Sequence, residues 1–403
     1  MMTVIRDAII VGAGIGGAVA GELLARKGRR VLVLERSTGR SGGGIGSIPR
    51  PEILWPRTQQ VLAGILGEER LRDELTVPVR KVLLHDGTRW IEFVGAQAMT
   101  RAGVQPVSTE PARTRAALLE QSRFELRRGV EVLGLVRKGS GGDRGRIVGV
   151  RTKCGADGSE EELLARWVIG DDGSDSRVRR ECGIDITLHD FPLDFLCFGF
   201  VWSDRMPAGT VRAWINLSRD GSGIAGALAF PFPDGKGGAI VLTRPRVRED
   251  SARTTRDWMH FVTGAEGLTE IVGERVMPRD FMHVRRAWGH AERYGVPGAV
   301  LIGDAAHPVS PAGGQGANMS VHDAAALSEI ILDGVENVPD ELEARRRAAN
   351  ARSVAMTARA TALLKTPTWT RPAWAVRGLI RLGARIPRAP AGLLRYIATA
   401  FAE

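Results

Sequence analysis

The stretch Ala8-Ile9-Ile10-Val11-Gly12-Ala13-Gly14-Ile15-Gly16-Gly17 decides the fold. Its first half is a continuous apolar run, which is typical of a parallel strand buried on both faces. Its second half has the glycine spacing G-x-G-x-x-G and leads into a helical pattern that stops at Gly28. A second apolar strand follows over residues 31–35. The order strand, glycine turn, helix and strand indicates a dinucleotide-binding unit.

Each glycine of this turn has a physical reason. The first permits a tight turn, the second lets the backbone approach a pyrophosphate, and the third allows close packing of helix on strand. The start of the helix also offers free N–H groups and a positive dipole end. We therefore predict phosphate contacts at Gly12, Gly14, Ile15, Gly16 and Gly17. Glu35 ends the second strand, where a carboxylate accepts hydrogen bonds from ribose hydroxyls and disfavours a 2′-phosphate.

A second glycine-rich stretch follows a later buried strand. That strand, residues 299–303, delivers Asp304 to the carboxyl end of the sheet, where open α/β sheets bind ligands. Pro308 and Pro311 stiffen the loop that follows. Three glycines then expose backbone N–H groups just before a helix that is expected to start after Asn318, which favours the binding of an anion. These glycines are Gly313, Gly314 and Gly316.

A third motif, Gly170-Asp171-Asp172-Gly173-Ser174-Asp175-Ser176-Arg177-Val178-Arg179, lies between the other two. With the three motifs in this order, roughly residues 5–330 resemble the class A flavoprotein monooxygenases, the family of para-hydroxybenzoate hydroxylase. Gly43-Gly44-Ile45 and Arg57-Thr58 are also similar to family elements. The resemblance implies FAD as the cofactor, NADH or NADPH as a transient electron donor, and O2 as a co-substrate.

The resemblance also implies roles for individual residues. It places Asp304 on the flavin ribityl chain, Asp172 between FAD and the nicotinamide, and Arg36 near the flavin nucleotide. It places Pro308 near the oxygen-reacting carbon of the flavin. His307 is either a catalytic base or, as most lone histidines are, a loop residue with a structural hydrogen bond. The other implied cofactor positions are Gly44, Gly303, Pro311, Gly313, Gly314, Gln315, Gly316, Ala317 and Asn318.

One position departs from the family pattern. Relatives often carry an arginine that points to the flavin at the start of the helix near residue 112. Here Pro111 takes that place, and either Arg113 or Arg115 can substitute; we assign Arg113 to the cofactor. Arg179, in the third motif, is expected on a solvated helix face.

The implied reaction transfers one oxygen atom of O2 to an aromatic or polycyclic small molecule through a flavin C4a-hydroperoxide. Epoxidation, Baeyer–Villiger oxidation, oxidation without oxygen transfer, an isoprenoid-type flavin reductase and a non-catalytic flavin sensor remain alternatives. Aromatic residues at strand spacing are candidates for the substrate pocket, although plain sheet core is at least as good an interpretation. These candidates are Phe198, Phe200, Trp202, Trp214 and Phe230.

The composition bears on partners and location. The net charge is +10, but no nucleic-acid-binding motif accompanies it, so no nucleic acid partner is expected. Three widely spaced cysteines argue against disulfides and a metal site. They favour a cytoplasmic location, as does the absence of an apolar run long enough to span a membrane. Near the C-terminus, Arg377, Arg381 and Arg385 stand four residues apart; this basic amphipathic helix is expected either on an anionic membrane or docked on the FAD domain.

The expected fold class is α/β: a Rossmann-like FAD-binding domain, an inserted and mainly antiparallel β-sheet substrate domain, and a helical C-terminal tail. The predicted FAD-binding domain is discontinuous and comprises residues 1–78, 106–185 and 279–335. The predicted substrate domain comprises residues 79–105 and 186–278, and the C-terminal helices comprise 336–403. One helix is expected over residues 112–128.

Overall fold

The computed structural model of the 403-residue chain describes residues 5–39, 50–138, 145–191, 193–202, 206–216, 224–243, 282–284, 287–309, 314–365, 373–385, 391–392 and 394. The strands are β1 (Arg6–Val11), β2 (Val31–Glu35), β3 (Glu52–Leu54), β4 (Thr76–Pro78), β5 (Lys81–His85), β6 (Trp90–Val94), β7 (Val107–Thr109), β8 (Glu125–Arg128), β9 (Val130–Lys138), β10 (Arg146–Cys154), β11 (Glu160–Gly170), β12 (Ile186–Asp190), β13 (Asp194–Val201), β14 (Thr210–Ile215), β15 (Ile224–Phe232), β16 (Lys236–Thr243), β17 (Met282–Val284), β18 (Ala287–Ala291), β19 (Gly295–Val296) and β20 (Ala299–Leu301). The helices are α1 (Ile15–Ala25), α2 (Pro56–Leu66), α3 (Ala96–Ala102), α4 (Pro111–Glu120), α5 (Arg177–Glu181), α6 (Gly316–Leu332), α7 (Val338–Lys365) and α8 (Ala373–Arg385). Three short helical segments are Glu68–Arg70, the π-helix Leu71–Leu75 and the 3-10 turn Gly303–Ala305.

The first sheet carries the glycine turn. Its strand order is β19-β20-β11-β1-β2-β8, and β10 and β9 continue from β11. β1 pairs in parallel with β2 and β11, and β11 pairs in parallel with β20. The apolar run of β1 lies at the centre, where Ile9 and Ile10 are fully buried. Because these strands are parallel, their carboxyl ends meet at one edge of the sheet, which brings Gly12, Asp171 and Gly303 together.

The turn after β1 requires glycine at two positions. Gly12 has φ +104°, and a Cβ at this residue would lie 2.2 Å from the carbonyl oxygen of Asp171. A Cβ at Gly17 would lie 2.2 Å from the carbonyl oxygen of Gly12. Neither distance leaves room for a side chain. The backbones of the turn, of α1 and of the residue after β11 therefore approach each other in a way that only glycine permits.

The second large sheet has seven strands in the order β17-β13-β16-β15-β14-β5-β6. All neighbouring strands in it are antiparallel except β14 and β5, which pair in parallel. Three distant parts of the chain, residues 81–94, 194–243 and 282–284, thus form one sheet. The predicted α/β class with an inserted antiparallel sheet and C-terminal helices is confirmed, while the domain boundaries stay a prediction.

One predicted helix is too long, and another starts earlier than predicted. The helix expected over 112–128 ends at Glu120, and residues 125–128 form β8, which pairs in parallel with β2. The edge of the sheet supplies hydrogen-bond partners that a helical pattern does not reveal. β12 pairs with β18 in a separate two-stranded antiparallel sheet. The helix expected after Asn318 begins two residues earlier, at Gly316.

The basic helix α8 docks on the protein through its arginines. Arg377 donates to the backbone oxygen of Asp86, and Arg381 donates to the carboxylate of Asp86 and to the hydroxyl of Thr88. Asp86 lies in the turn between β5 and β6, so the partner of α8 is the second sheet and not the predicted FAD domain. Among the described helices, none has the length and apolarity needed to cross a bilayer.

Candidate cofactor site

The first part of the site is the N-terminus of α1. Within the described part of the chain, the backbone N–H groups of Ile15 and Gly16 have no hydrogen-bond partner. The N–H of Gly17 donates to the carboxylate of Asp171 at 2.6 Å, and the N–H of Ala13 donates to Glu35 at 3.3 Å. Free amides at the positive end of a helix attract an anion, so the turn keeps two donors for phosphate oxygens.

Glu35 is positioned by an arginine on α4. The guanidinium of Arg115 lies 3.1 Å from the Glu35 carboxylate and donates through Nε to the carbonyl oxygen of Ala13 at 2.6 Å. Arg113, which the sequence predicts at the cofactor, forms its ion pair with Asp234 in the turn between β15 and β16 of the second sheet. The structure therefore places Arg115, and not Arg113, at the glycine turn. Arg36 is exposed beside Glu35.

The carboxylate of Asp172 caps a helix. It accepts hydrogen bonds from the Ser176 hydroxyl and from the backbone N–H groups of Arg177 and Val178 at 2.7 and 3.1 Å. Burial raises its pKa. Arg179 on the same helix is buried and donates to the carbonyl oxygen of Ala305 at 2.8 Å, so the predicted solvated position of Arg179 is wrong. A sequence pattern cannot show this bond because its two residues are 126 positions apart.

The second part of the site is the turn Gly303–Ala305 and the start of α6. Gly303 has φ +57°, and a Cβ there would lie 2.5 Å from the Ser320 hydroxyl, so the turn packs directly against α6. A carboxylate oxygen of Asp304 lies 3.8 Å from where a Cβ on Gly316 would stand. Within the described residues, the backbone N–H groups of Gly316 and Ala317 have no hydrogen-bond partner. Asp304 thus lies beside a second helix N-terminus with free donors.

Two of the predicted cofactor residues, Asn318 and Gln315, are buried within the protein. Asn318 is fully buried, and its side chain accepts the N–H of Trp55 and donates to the carbonyl oxygens of Ile53 and Gly314, at 2.8 to 3.0 Å. It fastens β3 and the start of α2 to α6. Gln315 is also fully buried. The predicted positions Gly44, Pro311 and Gly313 lie outside the described residues.

His307 belongs to a buried polar cluster behind the Gly303–Ala305 turn. Its Nε2 lies 2.5 Å from the carboxylate of Asp323, which also accepts the backbone N–H of Gly303 at 3.2 Å and the side chain of Arg346 at 3.0 Å. Burial by itself raises the pKa of Asp323, but His307 and Arg346 outweigh that effect and hold the pKa well below its ordinary value. This arrangement favours the structural role of His307. Pro308 is buried, and its carbonyl oxygen accepts the N–H of Gly289.

The aromatic candidates divide between two faces of the second sheet. Phe198 and Phe200 have no exposed surface and share one apolar cluster with Trp214 and the partly buried Trp202. Phe230 lies in a different cluster with Trp55, the residue whose N–H is bound by Asn318 at the start of α6. Phe230 is therefore the one candidate that does not belong to the apolar cluster shared by the other four.

One charged residue near the site had no sequence signal. Arg50 forms an ion pair with Glu52 at 2.7 Å and is electrostatically coupled to Cys197 on β13 and to Asp304. Although burial opposes its charge, Glu52, Cys197 and Asp304 raise the pKa of Arg50, so it stays protonated. It therefore brings a fixed positive charge to the junction of the two sheets.

These groups fit a dinucleotide. Two helix N-termini offer free amides to phosphates and to negative charge elsewhere on the cofactor, and carboxylates at strand ends accept hydroxyl protons. Because Gly12, Gly17 and Gly303 carry no side chain, the two turns pack directly against Asp171 and Ser320, which keeps both sets of free amides at one edge of the sheet. A dinucleotide-binding fold joined to an antiparallel sheet is the class of protein that this geometry defines.

Residues 6–357 match the family described as "FAD binding domain". The match covers most of the chain, and the protein therefore belongs to this family and binds FAD.

Relatives and solved structures agree with this assignment. The chain is 29% identical to the rifampicin monooxygenase of Streptomyces venezuelae, over 79% of this chain and 62% of that protein. It is 29% identical to the 6-methylpretetramide 4-monooxygenase of Streptomyces rimosus, over 85% of this chain and 80% of that protein. The crystal structure of p-nitrophenol 4-monooxygenase PnpA from Pseudomonas putida DLL-E4 superposes with a TM-score of 0.77 at 18% identity, covering 98% of this chain and 99% of that one. This last likeness concerns the fold.

Proposed function

We propose that the protein is an FAD-dependent monooxygenase that uses NADH or NADPH and O2 to hydroxylate an aromatic or polycyclic small molecule. The observation that carries the proposal is the meeting of two helix N-termini with free N–H groups, at Ile15 and Gly16 and at Gly316 and Ala317, on one edge of a parallel sheet. FAD supplies the redox and oxygen chemistry when bound, because the ordinary side chains carry neither.

The residues of the chain have distinct parts in this proposal. Glu35, held by Arg115, and Asp304 accept hydrogen bonds from cofactor hydroxyls. The amides at the start of α6 stabilise negative charge that develops on the reduced cofactor. Phe230 and Trp55 supply apolar surface beside that helix, and Arg50 adds a positive charge between the sheets. An apolar, water-poor surface strengthens each of these electrostatic contributions.

The named relatives support the substrate class. Two of them carry the names of monooxygenases that act on rifampicin and on 6-methylpretetramide, and both are large ring-containing molecules. The chain spans 62% of the first protein and 80% of the second. The substrate and the complete activity of this chain are therefore to be established by product analysis.

The decisive experiment is a product analysis in air. The purified protein is first examined for the absorbance bands of oxidised flavin. NADH or NADPH is then added with a panel of phenols, polycyclic aromatics and olefins under labelled O2. Substrate-stimulated consumption of the reductant together with one labelled oxygen atom in a hydroxylated product supports the proposal.

Other products would replace the proposal with one of its alternatives. A labelled epoxide or ester would indicate epoxidation or Baeyer–Villiger oxidation on the same cofactor. Reduction of an olefin without incorporation of oxygen would indicate an isoprenoid-type reductase. Bound flavin without any turnover would indicate a non-catalytic flavin protein. The Gly12→Ala variant serves as a control, since the added Cβ would lie 2.2 Å from the carbonyl oxygen of Asp171 and is expected to abolish flavin binding.

Location and membrane contact are secondary parts of the proposal. The three cysteines, Cys154, Cys182 and Cys197, are free thiols, which supports a reducing, cytoplasmic compartment. Trp374 and Leu382 on α8 are 75% and 60% exposed, which supports peripheral contact with a lipid surface. Flotation of the whole protein with anionic vesicles, compared with a Trp374→Ser, Leu382→Ser double variant, tests this contact. Equal flotation of both proteins would exclude these residues as the membrane contact.

A further inference from the structure

Asp171 places a carboxylate inside the glycine turn. The residue directly follows β11, and its backbone N–H donates to the carbonyl oxygen of Val11 at 2.9 Å. One carboxylate oxygen accepts the N–H of Gly17 at 2.6 Å, and the other accepts the hydroxyl of Ser320 on α6 at 3.2 Å. The side chain thus joins the N-terminus of α1 to α6, at the positive helix end to which the cofactor phosphates are expected to bind.

Glycines surround this carboxylate. Its oxygens lie 2.9 to 3.1 Å from the positions that a Cβ would take on Gly14, Gly16, Gly17 and Gly303. Gly14 and Gly16 flank Ile15, and the N–H groups of Ile15 and Gly16 are the free donors of the turn. An anionic side chain therefore already lies beside the donors that serve the phosphates.

The charges around Asp171 are unfavourable to its ionised form. The carboxylates facing it come from its neighbour Asp172 and from Asp304 in the turn after β20; α6 presents the hydroxyl of Ser320, and α1 presents only backbone. Glu35 and Arg115 neutralise each other at Ala13 in the same turn. Within the described residues no lysine, arginine or histidine pairs with Asp171. Burial, and after it Asp304 and Asp172, raise the pKa of Asp171 to about 8.

We propose that FAD binds only when Asp171 carries a proton, so that cofactor binding is linked to proton uptake at this side chain. Two phosphate charges next to an ionised Asp171 would repel it, whereas a neutral carboxyl still accepts the Gly17 N–H and gains a donor of its own. The proton is present at low pH and is lost as the pH rises through about 8, so affinity for FAD must fall above that pH. The inference concerns the cofactor site alone and holds whichever substrate is oxidised.

The test uses the holoenzyme and free-flavin fluorescence. A dilution series at each pH from 6 to 9.5 yields the dissociation constant of FAD. We expect the dissociation constant of FAD to be independent of pH at low pH and to rise above pH 8. The rise should approach about tenfold per pH unit, because one proton is linked to binding. A constant that stays level to pH 9.5 in the wild-type protein would overturn the proposal, and this measurement needs no variant.

Two variants separate Asp171 from other titrating groups, including the flavin itself. Asp171→Asn keeps the shape of the side chain and cannot ionise, so its dissociation constant should stay level and be about thirtyfold lower than that of the wild type at pH 9.5. Asp175→Asn is the matched control: it lies four residues along the same loop with a 94% exposed side chain, and it should keep the wild-type profile. An Asp171→Asn protein with the wild-type rise, or with weaker binding at every pH, would contradict the proposal.

Discussion

The guanidinium of Arg115 lies 3.1 Å from Glu35 and, through Nε, 2.6 Å from the carbonyl oxygen of Ala13. Since the N–H of Ala13 also donates to Glu35, three groups form a closed ring around the end of β2 and the turn after β1. The ring holds the Glu35 carboxylate in one orientation before any ligand arrives, which lowers the entropic cost of binding.

Replacement of Arg115 tests the function of this ring. We expect Arg115→Ala to weaken FAD binding by about tenfold, since a hydrogen bond to a charged group contributes roughly 1.5 to 3 kcal/mol and part of it is recovered from water. Arg113→Ala, which removes the ion pair with Asp234 on the second sheet, should change the constant by less than about threefold, as expected for a surface pair. Titration of FAD by fluorescence measures both. A larger loss of FAD affinity in Arg113→Ala than in Arg115→Ala would support Arg113 as the cofactor-binding arginine, as the sequence predicts.

Two glycine-to-alanine changes, one in the glycine turn and one in α2, are expected to have opposite effects. Gly12→Ala adds a Cβ 2.2 Å from a carbonyl oxygen at φ +104° and should abolish FAD retention, with strain of about 1 to 3 kcal/mol. Gly64→Ala lies in α2 with open space around it and should stabilise the fold by about 0.5 to 1 kcal/mol. Flavin content after gel filtration and urea unfolding measure the two effects. Retention of flavin by Gly12→Ala would show that the turn can relax.

The two faces of the second sheet predict different consequences for two phenylalanines. Phe198→Ala opens a cavity in sheet core and should lower the free energy of unfolding by about 3 to 5 kcal/mol. Phe230→Ala, at a partly exposed site beside Trp55, should cost less stability and change mainly the KM for an aromatic substrate. Urea unfolding and steady-state kinetics separate the two. A change of KM at Phe198 without loss of stability would contradict this division.

Because α8 docks through the carboxylate of Asp86, we expect the stability of the protein to depend on pH in the acidic range. Burial by itself raises the pKa of Asp86, but hydrogen bonds from Thr88 and Arg381 outweigh it and lower that pKa to about 2. A pKa that is lower in the folded state contributes stability above the unfolded value of about 3.9, and this contribution is lost as the pH falls toward 2. Arg381→Ala should therefore lower the Tm at pH 7 by more than at pH 3.

Arg30→Ala is the control for this measurement, because Arg30 is 67% exposed and lies 3.9 Å from Asp7. It should change the Tm little at either pH. An Arg381→Ala deficit that is equal at pH 7 and pH 3 would show that the carboxylate of Asp86 does not account for the docking.

The sequence predicts an element correctly where that element depends on residues that are close together in the chain. The strand, the glycine turn and the helix at Ile9–Gly17 are recognisable because apolar runs, tight turns and helix starts depend on neighbouring residues. The same holds for the buried strand before Asp304, although it ends at Leu301 and not at residue 303, and for the helix after the second glycine-rich stretch, which begins at Gly316. The helix predicted across residues 125–128 is wrong because pairing with β2, about 90 positions earlier, decided that segment.

What the sequence by itself determined is the class of ligand, since G-x-G-x-x-G after a buried strand already implies a dinucleotide. Only the tertiary structure decided which side chains lie at the glycine turn. Arg115 and not Arg113 lies at the glycine turn, and Arg179 is buried. Asp171 accepts a hydrogen bond from Gly17, which is 154 positions earlier in the chain. The physical reason is that a shift of one or two residues along a helix or a strand points a side chain in the opposite direction. Which residue faces the site therefore depends on packing between segments that are distant in the sequence.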